Sequence, residues 1–345
     1  MKTIFRNLAF SACLFISTTL LSQDFSVFEY RTIGPLRGGR VTTVTGTPTE
    51  PGTFYLGASG AGVWKTEDYG TTWNNVSDGF FSTPSIGAIE IASNDPNIVY
   101  VGTGSDGLRS NVINGKGVYK SIDAGKTWTH IGLDNVGQIG AVEIDPTNSN
   151  IVWVAAIGNA FKANEERGVY KTIDGGVTWE KVLFVSNKTG FADLELLPGN
   201  PNVVFAAAWK AQRTPWTIDS GGENKDGGIY KSVNAGKDWV KLEKGLPQGL
   251  IGKIDLGVTA SDSKILYAVI ESPGDEGGVY KSVDQGNSFT QTSSEKGLTN
   301  RPFYYTNIEV DPTNADIVYS NANPLLKSTD GGKTWNEMDV PHGDN

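Results

Sequence analysis

The chain has 345 residues, 43 of them glycine, with 10% aromatic and 19% charged residues, a composition that excludes a disordered chain and fits a turn-rich globular protein. Its formal charge of -9 repels phosphate backbones and anionic lipid, so nucleic acid is excluded as a partner. A single cysteine, Cys13, and two histidines, His130 and His342, exclude a disulfide framework, a thiolate or histidine-rich metal site and most serine triads; no cofactor and no metal is expected.

The chain opens with MKTIFRNLAFSACLFISTTLLSQ, in which Lys2 and Arg6 precede an uncharged stretch from Leu8 to Leu21. This reads as a signal peptide over residues 1–22, cleaved near Ser22, which implies a secreted, periplasmic or cell-surface protein. A membrane anchor needs about 20 apolar residues, whereas this run is interrupted by Ser11, Ser17, Thr18 and Thr19. No membrane insertion is expected of the mature chain. Loss of the leader removes Cys13 and both leader cations, which takes the charge from -9 to -11. In the segment 23–38, FSVFEYRTIG (25–34) is placed to act as a closing strand.

From residue 39 onward one phrase recurs. YKSIDAGKTW, YKTIDGGVTW, YKSVNAGKDW, YKSVDQGNSF and LKSTDGGKTW follow a first copy, WKTEDYGTTW. The anchor residues Asp68, Asp123, Asp174, Asn234, Asp284 and Asp330 are separated by 55, 51, 60, 50 and 46 residues, a period that suits a four-stranded unit. In the third copy GQIGAVEID (137–145) alternates as strand A, and PTNSN makes a turn. NIVWVAA (150–156) is strand B, GVYKTID from Gly168 is strand C, and strand D starts near Trp179. The expected fold is all-β: a propeller of four-stranded antiparallel blades near 39–77, 84–132, 138–184, 190–243, 251–292 and 303–340. Blade 6 has its own strand D, so a closing strand would lack a blade to complete. That implies a truncated propeller whose next inner strand would begin at PHGDN.

The signature Ser/Thr-x-Asp-x-Gly-x-Thr-Trp has a mechanical reading. The short acid accepts backbone N–H groups of its own turn, and the glycine permits positive φ. A catalytic carboxylate would not recur six times, nor become Asn234 in one copy. These six residues are therefore structural. The signature resembles the Asp-box, or BNR repeat, of sialidases, xyloglucan hydrolases and sortilin-type receptors, all β-propellers. The resemblance covers residues 39 to 340. IGPLRGGRV (33–41) and the terminal PHGDN resemble large bacterial secreted proteins described as sortilin-N-terminal-like or glycosyl-hydrolase-like.

Strand parity puts the A–B and C–D turns on one face and the B–C and D–A loops on the other. The B–C loops are unequal: blade 1 has ASGA, whereas blade 2 has GTGSDGLRSNVINGKG, blade 3 IGNAFKANEER and blade 4 WKAQRTPWTIDSGGENKDGG. Long loops on a rigid scaffold commonly carry function, and these three are expected to form one wall. Trp209 and Trp216 have no counterpart in other blades and flank Arg213. An aromatic face beside hydrogen-bonding groups suits a sugar ring or an apolar peptide side chain; the alternative for Trp209 is packing. Arg37 and Arg40, with Arg109, Arg167 and Arg213, are candidates for an anion or sugar-hydroxyl clamp, the alternative being inter-blade salt bridges. Tyr304 and Tyr305 sit at the entry to blade 6.

Two classes of function remain. The resemblance to xyloglucan hydrolases implies a catalytic aspartate in a Thr-Asp-x-Gly-Gly stretch before strand C of blade 1, where this chain has Ser59, and a partner acid in a later propeller. Weaker acid–base candidates are the loop acids Asp106, Glu165, Asp219 and Glu223. The preferred reading is a module that binds a glycan or an extended peptide through the loops of blades 2–4, with glycoside hydrolysis as the alternative.

Overall fold

A computed structural model describes residues 40–109, 111–223, 226–304 and 306–339. The leader, the segment 25–34, Arg37, Tyr305 and PHGDN lie outside the described residues. The described residues contain almost no helix and are organised as six antiparallel blades in chain order, each of four strands, with Ile218–Ser220 added to the second strand of blade 4 and a separate two-stranded sheet of Gly222–Glu223 and Leu250–Ile251. Blade 1 comprises Val41–Gly46, Phe54–Ala58, Gly62–Thr66 and Asn74–Asn75, and blade 2 comprises Ile86–Ile91, Val99–Thr103, Val118–Ser121 and Thr129–His130. Blade 3 follows with Gln138–Ile144, Val152–Gly158, Gly168–Thr172 and Glu180–Leu183. Blade 4 is Thr189–Leu196, Val204–Arg213, Gly228–Ser232 and Val240–Leu242. Blade 5 is Ile254–Val258, Leu266–Ile270, Gly278–Ser282 and Thr290–Ser293, and blade 6 is Ile308–Val310, Val318–Asn321, Leu325–Ser328 and Asn336–Glu337. The expected six-bladed propeller is therefore the observed fold.

Each Asp-box closes the turn between the third and fourth strands. In blade 2, Asp123 Oδ1 accepts from Thr127 N (2.9 Å) and Ser121 Oγ (2.8 Å), while Oδ2 accepts from Thr127 Oγ1 (2.7 Å). Ser121 Oγ in turn accepts from Gly125 N at 2.8 Å. The turn is tied to the A–B turn of its own blade, as Ala124 N donates to Asn97 O and Gly175 N to Asn150 O, so both turns share one face.

The same turn is also a socket for the preceding blade. A Cβ on Gly236 would lie 2.6 Å from Trp153 Cη2, and Gly236 has a φ of +83°. Glycine is thus required at this position both for backbone conformation and for the approach of the blade 3 indole. The second-strand aromatics act alike: Tyr55 OH donates to Ala124 O (2.7 Å), Tyr100 OH to Ser149 O (2.9 Å) and Tyr267 OH to Ala315 O (2.8 Å). A lysine from the third strand covers each ring, as Lys171 does Trp153 at 4.5 Å, and Lys171 Nζ continues to Ala235 O of the next blade at 2.9 Å.

Apolar clusters fill the spaces between blades. Tyr55, Val63, Ile86, Ile89 and Val101 join blades 1 and 2; Trp153, Val169, Phe191 and Val204 join blades 3 and 4. Phe205, Ile254 and Leu266 join blades 4 and 5, and Tyr267, Val279, Ile308 and Val318 join blades 5 and 6. Each fully buried side chain of this size contributes roughly 1.5–3 kcal/mol. Among the described residues no such cluster joins blade 6 to blade 1. Val41 and Val44 on the inner strand of blade 1 remain 57% and 64% exposed.

Candidate functional site

The long loops of blades 2, 3 and 4 do converge. Leu108 from blade 2, Ile157 and Ala160 from blade 3, and Trp209 and Ala211 from blade 4 form one apolar cluster, with Phe303 from the connection between blades 5 and 6 packed against it. Backbone bonds fasten it, Leu108 N donating to Phe303 O (3.1 Å) and Arg213 N to Ala160 O (2.7 Å). Buried Gln138 bridges two loops: its Nε2 donates to Asn114 Oδ1 (2.7 Å) and its Oε1 accepts from Ala160 N (3.0 Å). Loops held this way behave as rigid scaffold.

Burial corrects two of the sequence-based ligand candidates. Arg167 is 1% exposed, and its guanidinium donates to Ile157 O, Asn159 O and Ala211 O at 2.9–3.0 Å. It pins the loops of blades 3 and 4 and does not reach the surface. Trp209 is fully buried, with Nε1 donating to Ser220 Oγ at 3.0 Å; Ser220 Oγ then donates to Glu271 Oε2 at 2.6 Å.

Trp209 thereby anchors a hairpin in which Ala211–Arg213 pair with Ile218–Ser220. Its tip is closed by Thr214 N to Thr217 O (2.9 Å) and Thr217 N to Thr214 Oγ1 (3.1 Å). At that tip Trp216 is 91% exposed, an indole presented on a braced hairpin, with Arg213 half-buried in the adjoining strand.

A second feature lies at the mouth of the central channel. Arg40, Ser59, Arg109, Asn111 and Tyr304 line one recess, with Thr42, Ser105 and Gly107. The Arg109 guanidinium stands 4.4 Å from the Tyr304 ring centroid and that of Arg40 5.1 Å. Three sequence candidates, Arg40, Arg109 and Tyr304, thus come together, while Arg213 and Trp216 stand on the blade 4 hairpin.

The inner-strand acids that line the channel were missed from the sequence. Inner strands of successive blades place Glu90, Glu143, Asp193, Glu195, Asp255 and Glu309 along a cavity of about 310 Å³, joined by Asp106 from the blade 2 loop. The signal was a repeated acid within the first strand, in IGAIEI, GAVEI, ADLEL, KIDLG and NIEV. Enclosure by protein pushes Glu90 up to about 8 and Glu309 up to about 7, the latter helped by the charge of Asp193. Glu309 keeps accessible surface along the channel wall, so solvent tempers this push. Burial and neighbouring carboxylates raise Glu143, Glu195 and Asp255 well above the ordinary carboxylate range. Among the described residues no three Asp, Glu, His or Cys side chains are arranged to hold a metal ion.

Of the acid–base candidates, Asp106 lines the channel with Oδ1 enclosed and without a hydrogen bond, and burial raises its pKa. Glu165, Asp219 and Glu223 are exposed on the loops of blades 3 and 4, where the Glu165 carbonyl accepts from Lys181 Nζ.

A family model described as Sortilin-Vps10 (sortilin, neurotensin receptor 3) matches residues 61–214, the span that contains three of the six Asp-boxes. The chain is an Asp-box β-propeller. The propeller is similar in sequence to Xyloglucanase Xgh74A of Acetivibrio thermocellus, at 27% identity over 342 residues, covering 87% of this chain and 38% of the relative. A xyloglucanase of Hypocrea jecorina is 26% identical over 225 residues, covering 59% of this chain and 26% of that one. The propeller therefore spans well under half the length of these relatives. Among solved structures, the GH74 enzyme of Niastella koreensis superposes with a TM-score of 0.63 at 20% identity, covering 86% of this chain and 46% of that one. The GH74 xyloglucanase from Xanthomonas campestris gives 0.60 at 14% identity, covering 85% and 45%. Both agree in fold.

Proposed function

We propose that the propeller is a glycan-binding module whose ligand lies across the loop face, between the blade 4 hairpin and the recess at the channel mouth. The observation that carries this reading is Trp216, a 91% exposed indole on a hairpin braced by the Trp209–Ser220–Glu271 chain. An exposed flat ring on a rigid support loses little entropy on stacking against a sugar. The sequence likeness to proteins named xyloglucanases supports a polysaccharide over an extended peptide. The leader pattern supports a location outside the cytoplasm, where polysaccharides are met; among the described residues no helix is long and apolar enough to cross a membrane.

The test is affinity electrophoresis of the chain through gels containing soluble polysaccharides, including xyloglucan. Retardation by at least one, lost in Trp216→Ala with the melting temperature unchanged, is the expected result. No retardation by any of them would sink the reading.

Glycoside hydrolysis is the second reading, favoured by the same relatives. Ser59 lies in the recess where the resemblance implies a catalytic acid in xyloglucan hydrolases, which weighs against that activity in this propeller alone. Release of reducing ends that disappears with Asp106→Asn, Glu165→Gln, Asp219→Asn or Glu223→Gln would put hydrolysis first.

A further inference from the structure

We propose that the recess of Arg40, Arg109, Tyr304, Ser59 and Asn111 is a subsite for an anionic substituent on a glycan, a uronate carboxylate or a sulfate ester, and that it selects acidic over neutral polysaccharide. The inference rests on the glycan-binding reading of the loop face and names the ligand class at one end of it.

The charged groups lining the recess are donors only. Arg40 and Arg109 bear guanidinium groups against the Tyr304 ring, and among the described residues neither pairs with a carboxylate. The Asn111 amide and the Ser59 hydroxyl have no hydrogen-bond partner among the described residues either. Three cations elsewhere in the propeller are engaged by polar partners: Lys231 Nζ donates to Gln285 O at 2.6 Å, Lys281 Nζ to Asp316 Oδ1 at 3.0 Å, and Arg167 to three carbonyls. Two guanidiniums in one recess without a carboxylate partner among the described residues, in a chain with net charge -9, leave a local excess of positive charge and of N–H groups there.

The geometry is held in advance. Ser59 N donates to Arg40 O at 2.8 Å, tying the start of blade 1 to its B–C loop, and Leu108 N to Phe303 O ties the residues next to Arg109 and Tyr304. A Cβ on Gly107 would come within 2.9 Å of Tyr304 Cδ2, so the ring seats only because that residue is glycine. A guanidinium stacked on an aromatic face keeps its edge N–H groups for planar, bidentate contact with a carboxylate or sulfate. The recess volume of about 20 Å³ admits one small group and no sugar ring, so the ring would remain on the open face.

The acidic channel works against an anion here, since Thr42 lines both the recess and the channel. Two guanidiniums in direct contact with the anion outweigh carboxyls that line the channel and not the recess, because the interaction falls with distance. The tendency of Glu143, Glu195 and Asp255 to hold their protons weakens the opposing field.

The experiment is calorimetric titration of the full chain with two pairs of probes: glucuronoxylan oligosaccharides against the same oligosaccharides methyl-esterified at the carboxylate, and a sulfated glycan against its desulfated form. The anionic member of at least one pair should bind about tenfold tighter, the worth of one charge-assisted contact. Arg40→Gln and Arg109→Gln should each erase that difference, bringing the anionic member's affinity down to that of the neutral one. Which pair shows the preference distinguishes carboxylate from sulfate. Equal affinity within both pairs, or a preference that survives both substitutions, overturns the subsite. Neutral glycans that still bind through Trp216 would then leave the loop-face reading standing, whereas no binding by any probe overturns the subsite together with that reading for these glycans.

Discussion

Asn234 Nδ2 donates to Asp238 Oδ2 at 2.8 Å. It is the contact that Thr127 Oγ1 makes to Asp123 Oδ2 in blade 2 at 2.7 Å, with donor and acceptor exchanged. Asn234 Oδ1 still accepts from Asp238 N at 3.0 Å, as Asp123 Oδ1 does from Thr127 N. The fourth Asp-box has therefore moved its acid by four positions and kept every bond, which confirms that the turn requires one donor and one acceptor and not a carboxylate at a fixed place.

Asn234→Asp should therefore destabilise, because it sets two carboxylates where one bond stood. The expected loss is roughly 0.5–1 kcal/mol at this partly solvated turn, read by urea denaturation. Adding Asp238→Thr should restore wild-type stability by recreating the arrangement of the other blades. A double variant as unstable as the single one would disprove the exchange.

Tyr55, Tyr100 and Tyr267 each donate to a carbonyl of the following blade, whereas Tyr319, the equivalent residue of blade 6, makes no such bond among the described residues. Phenylalanine at Tyr55, Tyr100 or Tyr267 should cost about 1 kcal/mol, since a buried carbonyl loses its donor. Tyr319→Phe in the same 345-residue chain should be silent. Equal losses at all four positions would show that blade 6 is bonded as the others are.

Stability should pass through a maximum in mildly acidic solution. Hydrogen bonds from their own turns hold Asp123, Asp174 and Asp284 down to about 2 and lower Asp68 and Asp330. Depressed carboxyls contribute stability that is present above their unfolded pKa of about 3.8 and is lost as pH falls through the folded values. Glu90 and Glu309 are raised, to about 8 and about 7. Their folded state favours the proton, so the stability it gives is complete below about 4.5 and is lost as pH rises through 7 and 8. Melting temperature should therefore fall on both sides of about pH 4–5, and Glu90→Gln should flatten the alkaline side. An alkaline slope unchanged by Glu90→Gln would rule out this assignment.

The two tryptophans without a counterpart in other blades should behave oppositely. Trp209→Ala removes a buried indole and the donor to Ser220, at a cost of roughly 3–5 kcal/mol. Trp216→Ala changes an exposed tip and should stay within about 0.5 kcal/mol of wild type. A large loss at Trp216 on thermal melting would mark it as scaffold.

The sequence by itself determined the blades. A turn built from Ser121, Asp123, Gly125 and Thr127 depends on residues within a few positions of one another, and its repetition at 46 to 60 residues declares the architecture without any long-range contact. It also determined which loops were long, and hence which face would carry them. Only the tertiary structure decided what each loop residue does. Arg167 and Arg109 are both arginines of long B–C loops, but one is buried on three carbonyls and the other stands open against Tyr304, nearly two hundred residues away in sequence. The acid on the inner strand of blades 2 to 6 is ordinary in its own blade; it becomes a channel wall when these five blades bring Glu90, Glu143, Glu195, Asp255 and Glu309 to a common axis. Burial and charge are properties of the assembled surroundings, and residues far apart in the chain supply those surroundings only once the blades have packed.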